Sequence, residues 1–154
     1  MARNYKQGFF KPQNPSKYRG NLNEIIYRSG WEENIFRSWD LNKNIIEWAA
    51  ESVIIPYQSP IDKKIHRYYM DGWIKAKTIH NTVEQILIEI KPYAQCFPPQ
   101  AQKRKTKQYI ERVKTYLVNQ AKWNATIKFC QKHKLKFAIM TEKGVLDWNN
   151  IKPK

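Results

Sequence analysis

Apolar and polar positions repeat with two different periods along this chain, and the switches between them predict a mixed α/β fold. From Asn23 to Asp40 the run NEIIYRSGWEENIFRSWD has helical spacing, with Ile25, Ser29, Glu32, Phe36 and Trp39 on one face. IIEWAAESVIIPY and KKIHRYYMDGWIKA are rich in β-branched and aromatic residues. The Pro-containing turn QSPID separates them, which predicts two or three strands in a hairpin arrangement. In TVEQILIEIKP, Ile86, Ile88 and Ile90 point one way and Leu87, Glu89 and Lys91 the other, as in a central strand covered on both faces. After Pro98 and Pro99 the spacing of Ile110, Val113, Leu117, Ala121, Asn124 and Ile127 predicts one long helix or two consecutive ones, and LKFAIMTE predicts a last strand.

Two of these patterns contain residues that their own logic does not explain. Glu32 interrupts an apolar helical stripe, where a carboxylate is costly to bury unless it is paired or faces a cation, while Glu33 lies about 100° round the helix. Glu89 and Lys91 project from one face of an apolar strand, two steps of about 3.3 Å apart, and a mutual ion pair or a shared ligand would each account for them. Asp71, in RYYMDGWI, stands near a strand end among aromatic residues and by itself also fits a turn before Gly72.

Composition narrows the partners. The 154 residues carry 28 Lys and Arg against 13 Asp and Glu, a net charge of +15, so a polyanion is the expected partner and nucleic acid the first choice. Apolar residues at 42 % and aromatics at 14 % are enough for this charged chain to fold. No run approaches the roughly 18 apolar residues of a membrane span, and the opening MARNYKQGFF has no secretory pattern, so neither membrane nor export is expected. Cys96 and Cys130, and His66, His80 and His133, form no metal-ligand spacing, so zinc is not expected and both cysteines are read as free thiols. Residues 1–22, with Gly8, Pro12, Pro15 and Gly20 among basic and amide residues, read as a basic N-terminal arm, and 23–154 as a single domain.

A helical Glu, an Asp at a strand end and Glu-x-Lys on the next strand, here Glu32, Asp71, Glu89 and Lys91 in order, resemble the PD-(D/E)XK nuclease superfamily. Met70 stands where that signature often has a proline. Within the superfamily the chain resembles the head completion nucleases of tailed phages and, more distantly, the nuclease subunit of certain transposases. The segments that carry the likeness are GFFKPQNPSKYRG, YRSGWEENIFRSWDLNKNIIEW, IPYQSP, RYYMDGWI, ILIEIKP, NQAKWNATIKFC and FAIMTE. The resemblance implies a restriction-endonuclease-like core, a central mixed β-sheet flanked by helices, and a DNA endonuclease that uses Mg²⁺ or Mn²⁺ to trim packaged DNA ends. Asp71, Glu89 and Glu32 would then be metal ligands, and Lys91 would act beside the attacking water. It also implies work in the host cytoplasm and the virion, with portal or neck proteins as partners. The alternative in the same family is a non-catalytic head or neck protein that binds DNA and keeps only the fold. Lys11, Lys17 and Arg19 of the arm, Lys103, Arg104, Lys105 and Lys107 before and at the start of the long helix, and Lys122 within it are the expected contacts to double-stranded DNA, its ends or branches.

Overall fold

The computed structural model describes residues 6–153. Two short strands, β1 (Gly8–Phe9) and β2 (Ile26–Tyr27), pair antiparallel ahead of helix α1 (Gly30–Leu41). Strands β3 (Ile45–Ala50), β4 (Ile54–Gln58), β5 (Ile65–Tyr69), β6 (Gly72–Lys77) and β7 (Val83–Ile90) follow, then helix α2 (Lys107–His133), β8 (Lys136–Thr141), β9 (Gly144–Leu146) and α3 (Trp148–Ile151). The main sheet runs β3-β6-β7-β8-β9, and β4 and β5 form a separate antiparallel hairpin. Within the main sheet β7 and β8 are the parallel pair, because α2 carries the chain back across the sheet between them. The α/β fold with a central mixed sheet flanked by helices is therefore as expected, with more strands than the two or three read from residues 45–76. Among the described residues no helix is long and apolar enough to cross a membrane.

The central strand has the two-sided burial its alternation predicts. Ile88 and Ile90 pack with Ile35, Phe36 and Trp39 of α1, while Leu87 packs with Trp123, Ile127 and Cys130 of α2 on the other face. Both cysteines are buried and free. Gly72 lets α1 approach the sheet, since a Cβ there would stand 2.3 Å from the Trp39 ring. Gly72→Ala is expected to overpack this contact and cost about 1–3 kcal/mol of stability. Thermal unfolding checks it: an unchanged melting temperature would mean that α1 can shift freely.

Three local expectations differ from the structure. Helix α1 starts at Gly30 rather than Asn23, because the Ser29 hydroxyl accepts a hydrogen bond from the Glu32 N–H at 3.1 Å and caps it there. Ile25 and Ser29 thus leave the helical stripe, although Ile25 is fully buried in the segment before it. On α2 the buried positions are Tyr109, Tyr116, Trp123 and Cys130, seven residues apart, with Asn119, Thr126 and Ile127 between, whereas Ile110 and Leu117 are each 41 % exposed. The rings bury more area than the aliphatic side chains they displace and so set the helix's rotation.

Of the segment read as an extended arm, residues 1–5 lie outside the described residues, and the part from Phe10 to Tyr18 is packed. Phe10 and Tyr18 are buried around Trp48, and the backbone N–H groups of Gln13 and Asn14 donate to the buried carboxylate of Asp40 at 2.7 and 3.1 Å. Lys17 donates to the carbonyls of Trp39, Asp40 and Asn42 at 2.7–2.9 Å, where a cation complements the exposed end of α1.

Candidate active site

Strands β6 and β7 pair with Gly72 opposite Ile88, so one further step of the register brings Asp71 opposite Glu89. Facing side chains of an antiparallel pair stand roughly 5 Å apart at Cβ. Asp71 is held there by the Ile90 N–H, which donates to its Oδ2 at 2.7 Å. Burial, the nearby Glu89 carboxylate and then Glu32 push the Asp71 carboxyl well above the usual range, while the Ile90 hydrogen bond and Lys91 oppose the shift. Two facing acids in a partly closed site of this kind call for a cation.

Glu89 is 5 % exposed and has a partner on each oxygen. The Lys91 ammonium lies 3.3 Å from Oε1, and the Tyr68 hydroxyl donates to Oε2. Burial and the neighbouring carboxylates push the Tyr68 phenol well up, so it keeps its proton and remains a donor. Lys91 follows the last residue of β7, and its own N–H continues the parallel ladder to the Met140 carbonyl at 3.0 Å, which fixes the backbone under the side chain. The Glu89–Lys91 ion pair weighed from sequence is thus present, within a group that also holds Asp71.

Glu32 reaches this end of the sheet from the N-terminus of α1. Its Oε2 accepts the Arg28 N–H at 2.7 Å, a variant of the capping box, while burial first and then the Glu51 and Glu89 charges raise its carboxyl. Glu33 is turned away and pairs with Lys6 and Arg37. Glu32→Gln, which keeps an acceptor for the Arg28 N–H, is expected to reduce cleavage at least tenfold with little change in melting temperature. Glu33→Ala is expected to leave cleavage unchanged. Parallel rate and melting measurements check the pair, and the reverse pattern would place the functional acid on the wrong side of the helix.

Sequence reasoning misses two further groups at the site. Arg28 forks onto the Glu51 carboxylate at 2.7 and 3.1 Å, and the Glu51 N–H donates to the Asp71 carbonyl at 3.4 Å. Glu51 has φ of +51°, a conformation costly for a residue with a Cβ and held here by these contacts. Tyr68 is found only by knowing that the β4–β5 hairpin folds over Glu89. Its partner pattern is not local in sequence.

The basic residues separate into distinct places. Lys122 enters the site: its ammonium lies 5.2 Å from the Tyr68 ring centre and 5.8 Å from that of Tyr57. Burial lowers its pKa, Glu89 and Asp71 raise it and Lys91 lowers it, which places it among the same charges. Asn124, its neighbour, instead accepts from the Trp148 indole at 2.8 Å and anchors α3. Lys103, Arg104, Lys105 and Lys107 are exposed before and at the start of α2, Lys105 standing over the Tyr109 ring at 4.9 Å. Lys11 is exposed, Lys17 is bound to the end of α1, and Arg19 pairs with Glu47 at 2.6 Å.

Among the described residues no three carboxylate, imidazole or thiol groups form a ready metal cage. The donor set fits a hard cation held loosely, because Mg²⁺ commonly takes one or two carboxylates and leaves its other positions to water and substrate phosphate. Asp71 and Glu89 make such a pair, with Glu32 at its margin.

Residues 42–142, which contain Asp71, Glu89, Lys91 and Lys122, match the family described as TnsA-like endonuclease, N-terminal. The chain is also 37 % identical over 142 residues to the head completion nuclease of Enterobacteria phage T4, a match that covers 90 % of this chain and 92 % of that protein.

Proposed function

The chain belongs to the TnsA-like endonuclease family, and from that premise we propose that it is a divalent-metal-dependent DNA endonuclease that trims DNA ends during phage head completion. The observation that carries this reading is the convergence of Asp71, Glu89 and Lys91 at the end of β7: two facing acids, with a lysine bonded to one of them. A divalent cation bound there would neutralise phosphate charge and lower the pKa of water. Asp71 and Glu89 would hold that ion, Tyr68 would keep Glu89 oriented, and Glu32 would add an acceptor at the margin for an ordered water. Lys91 would stand beside the scissile phosphate, releasing Glu89 to the ion and stabilising the developing charge.

Affinity for DNA would come from phosphate contacts. Lys103, Arg104, Lys105 and Lys107 crowd the N-terminus of α2, where the helix dipole already disfavours cations and no acid occupies the first turn. A polyanion offsets that repulsion. Lys122 would face the backbone from within the site. No arrangement for reading base edges is evident among the described residues, so the action would be end- or structure-selective and would weaken with salt. A non-catalytic role would predict the loss of an acid or the lysine, and all four signature residues are present.

The test is a cleavage assay on blunt, overhanging and branched duplexes with and without Mg²⁺ or Mn²⁺. Cutting only with the metal is expected. Equal cutting after chelation, or none under either condition, would contradict the reading.

A further inference from the structure

A groove of about 500 Å³ lies between the first half of α2 and the turn at residues 93–99, within the size range of ligand sites. Nothing in the reaction uses it. Phe97, Pro99 and Tyr116 give it flat apolar walls, Gln108 and Arg112 line it with polar and cationic groups, and Asn119 lies in it near the active site. Asn119 is 4 % exposed, and its amide Nδ2 has no hydrogen-bond partner among the described residues. A buried donor left without an acceptor is uncommon and marks a place where a ligand's acceptor would be stabilising.

The position of the groove identifies its occupant. Asn119 and Lys122 are neighbours on one face of α2, and Lys122 lies among the charges of Asp71 and Glu89. Cys96, buried in the core between the wall residues Gln95 and Phe97, feels the charges of Lys91 and Glu89. At the other end stands the basic cluster Lys103 to Lys107, and 15 residues of helix from Lys107 to Lys122 span about 22 Å. A strand whose phosphates ran from Lys122 to that cluster would pass over the groove. Its chemistry, ring and proline faces beside carboxamides, suits a base stacked on one side and hydrogen-bonded at its edge.

We propose that the groove holds an unpaired base of the DNA end, so that the protein selects frayed or overhanging ends through stacking against Phe97 and Tyr116. This deepens the proposed function and rests on DNA being the substrate. Glu111, which also lines the groove, lies 4.0 Å from Lys114, so its charge is partly countered.

The test measures binding without divalent ion, so that it does not depend on cleavage. The full chain is titrated by anisotropy with a blunt duplex and with the same duplex carrying a four-nucleotide overhang that contains 2-aminopurine. About tenfold tighter binding of the overhang, with a drop in 2-aminopurine emission, is expected from one stacked base. Phe97→Ala should reduce both effects. Because Phe97 also packs on the core, Thr115→Trp serves as the second variant: it fills the groove from an exposed helix position, and the overhang-to-blunt ratio should fall to about one. Equal affinities with unchanged emission, or a Thr115→Trp protein that keeps its preference, would overturn the proposal. So would a groove whose filling disturbs only protein assembly. Absence of metal-dependent cleavage beside intact overhang selection would count against the nuclease reading alone.

Discussion

Lys91→Ala is expected to lower metal-dependent cleavage by roughly 10²–10⁴-fold, the range found when a group that moves a proton or stabilises developing charge is removed. The ammonium lies 3.3 Å from Glu89 and just beyond the end of β7, where it can serve both that acid and a phosphate oxygen. Its loss leaves Glu89 with the Tyr68 hydroxyl and faces two acids with less cation to balance them. The fold should survive, since the Lys91 backbone keeps its ladder bond to Met140. Single-turnover cleavage beside circular dichroism checks both halves, and a folded variant cutting at the normal rate would remove Lys91 from the chemistry.

Asp71→Asn is expected to have the second large effect, in two opposite directions. Cleavage should fall at least about 10³-fold because a charged ligand is lost, while thermal stability without metal should rise. The sign follows from the raised carboxyl of Asp71. A native state that binds this proton more tightly than the unfolded chain loses stability as pH rises from about 4, the unfolded value, through the higher native one. Above that native value the full penalty persists. The substituted carboxamide accepts the Ile90 N–H without charge, so the variant's advantage should be small near pH 4, grow with pH and then level off. Added Mg²⁺ should stabilise the wild type and not the variant, since only the former gains by binding. Melting curves across pH, with and without metal, decide it; a variant less stable at every pH would mean that the Asp71 charge is already compensated.

The parts of the site legible in sequence are those where a charge violates its local pattern. Glu89 and Lys91 stand out because β7 is otherwise apolar and buried at its end on both faces. Glu32 stands out by helical phase even though α1 begins seven residues later than expected, because the spacing of Glu32, Phe36 and Trp39 still falls within the helix. Asp71 gains meaning only in combination, and the β6–β7 register supplies the reason: it places that residue opposite Glu89. What stays hidden depends on chain reversals. Tyr68 reaches Glu89 because the β4–β5 hairpin packs against α2, and Lys17 closes the end of a helix more than twenty residues away. Neither leaves a periodic trace. The rotation of α2 is illegible because Ile110 and Leu117 are more apolar by residue type than Tyr109 and Tyr116, whereas burial follows ring area.

The central claim is that Asp71 and Glu89 share one divalent ion, and electron paramagnetic resonance of free Mn²⁺ in the presence of DNA measures this most directly. The wild type should take up Mn²⁺ at a site lost equally in Asp71→Asn and in Glu89→Gln. Unchanged Mn²⁺ uptake in both variants would contradict it.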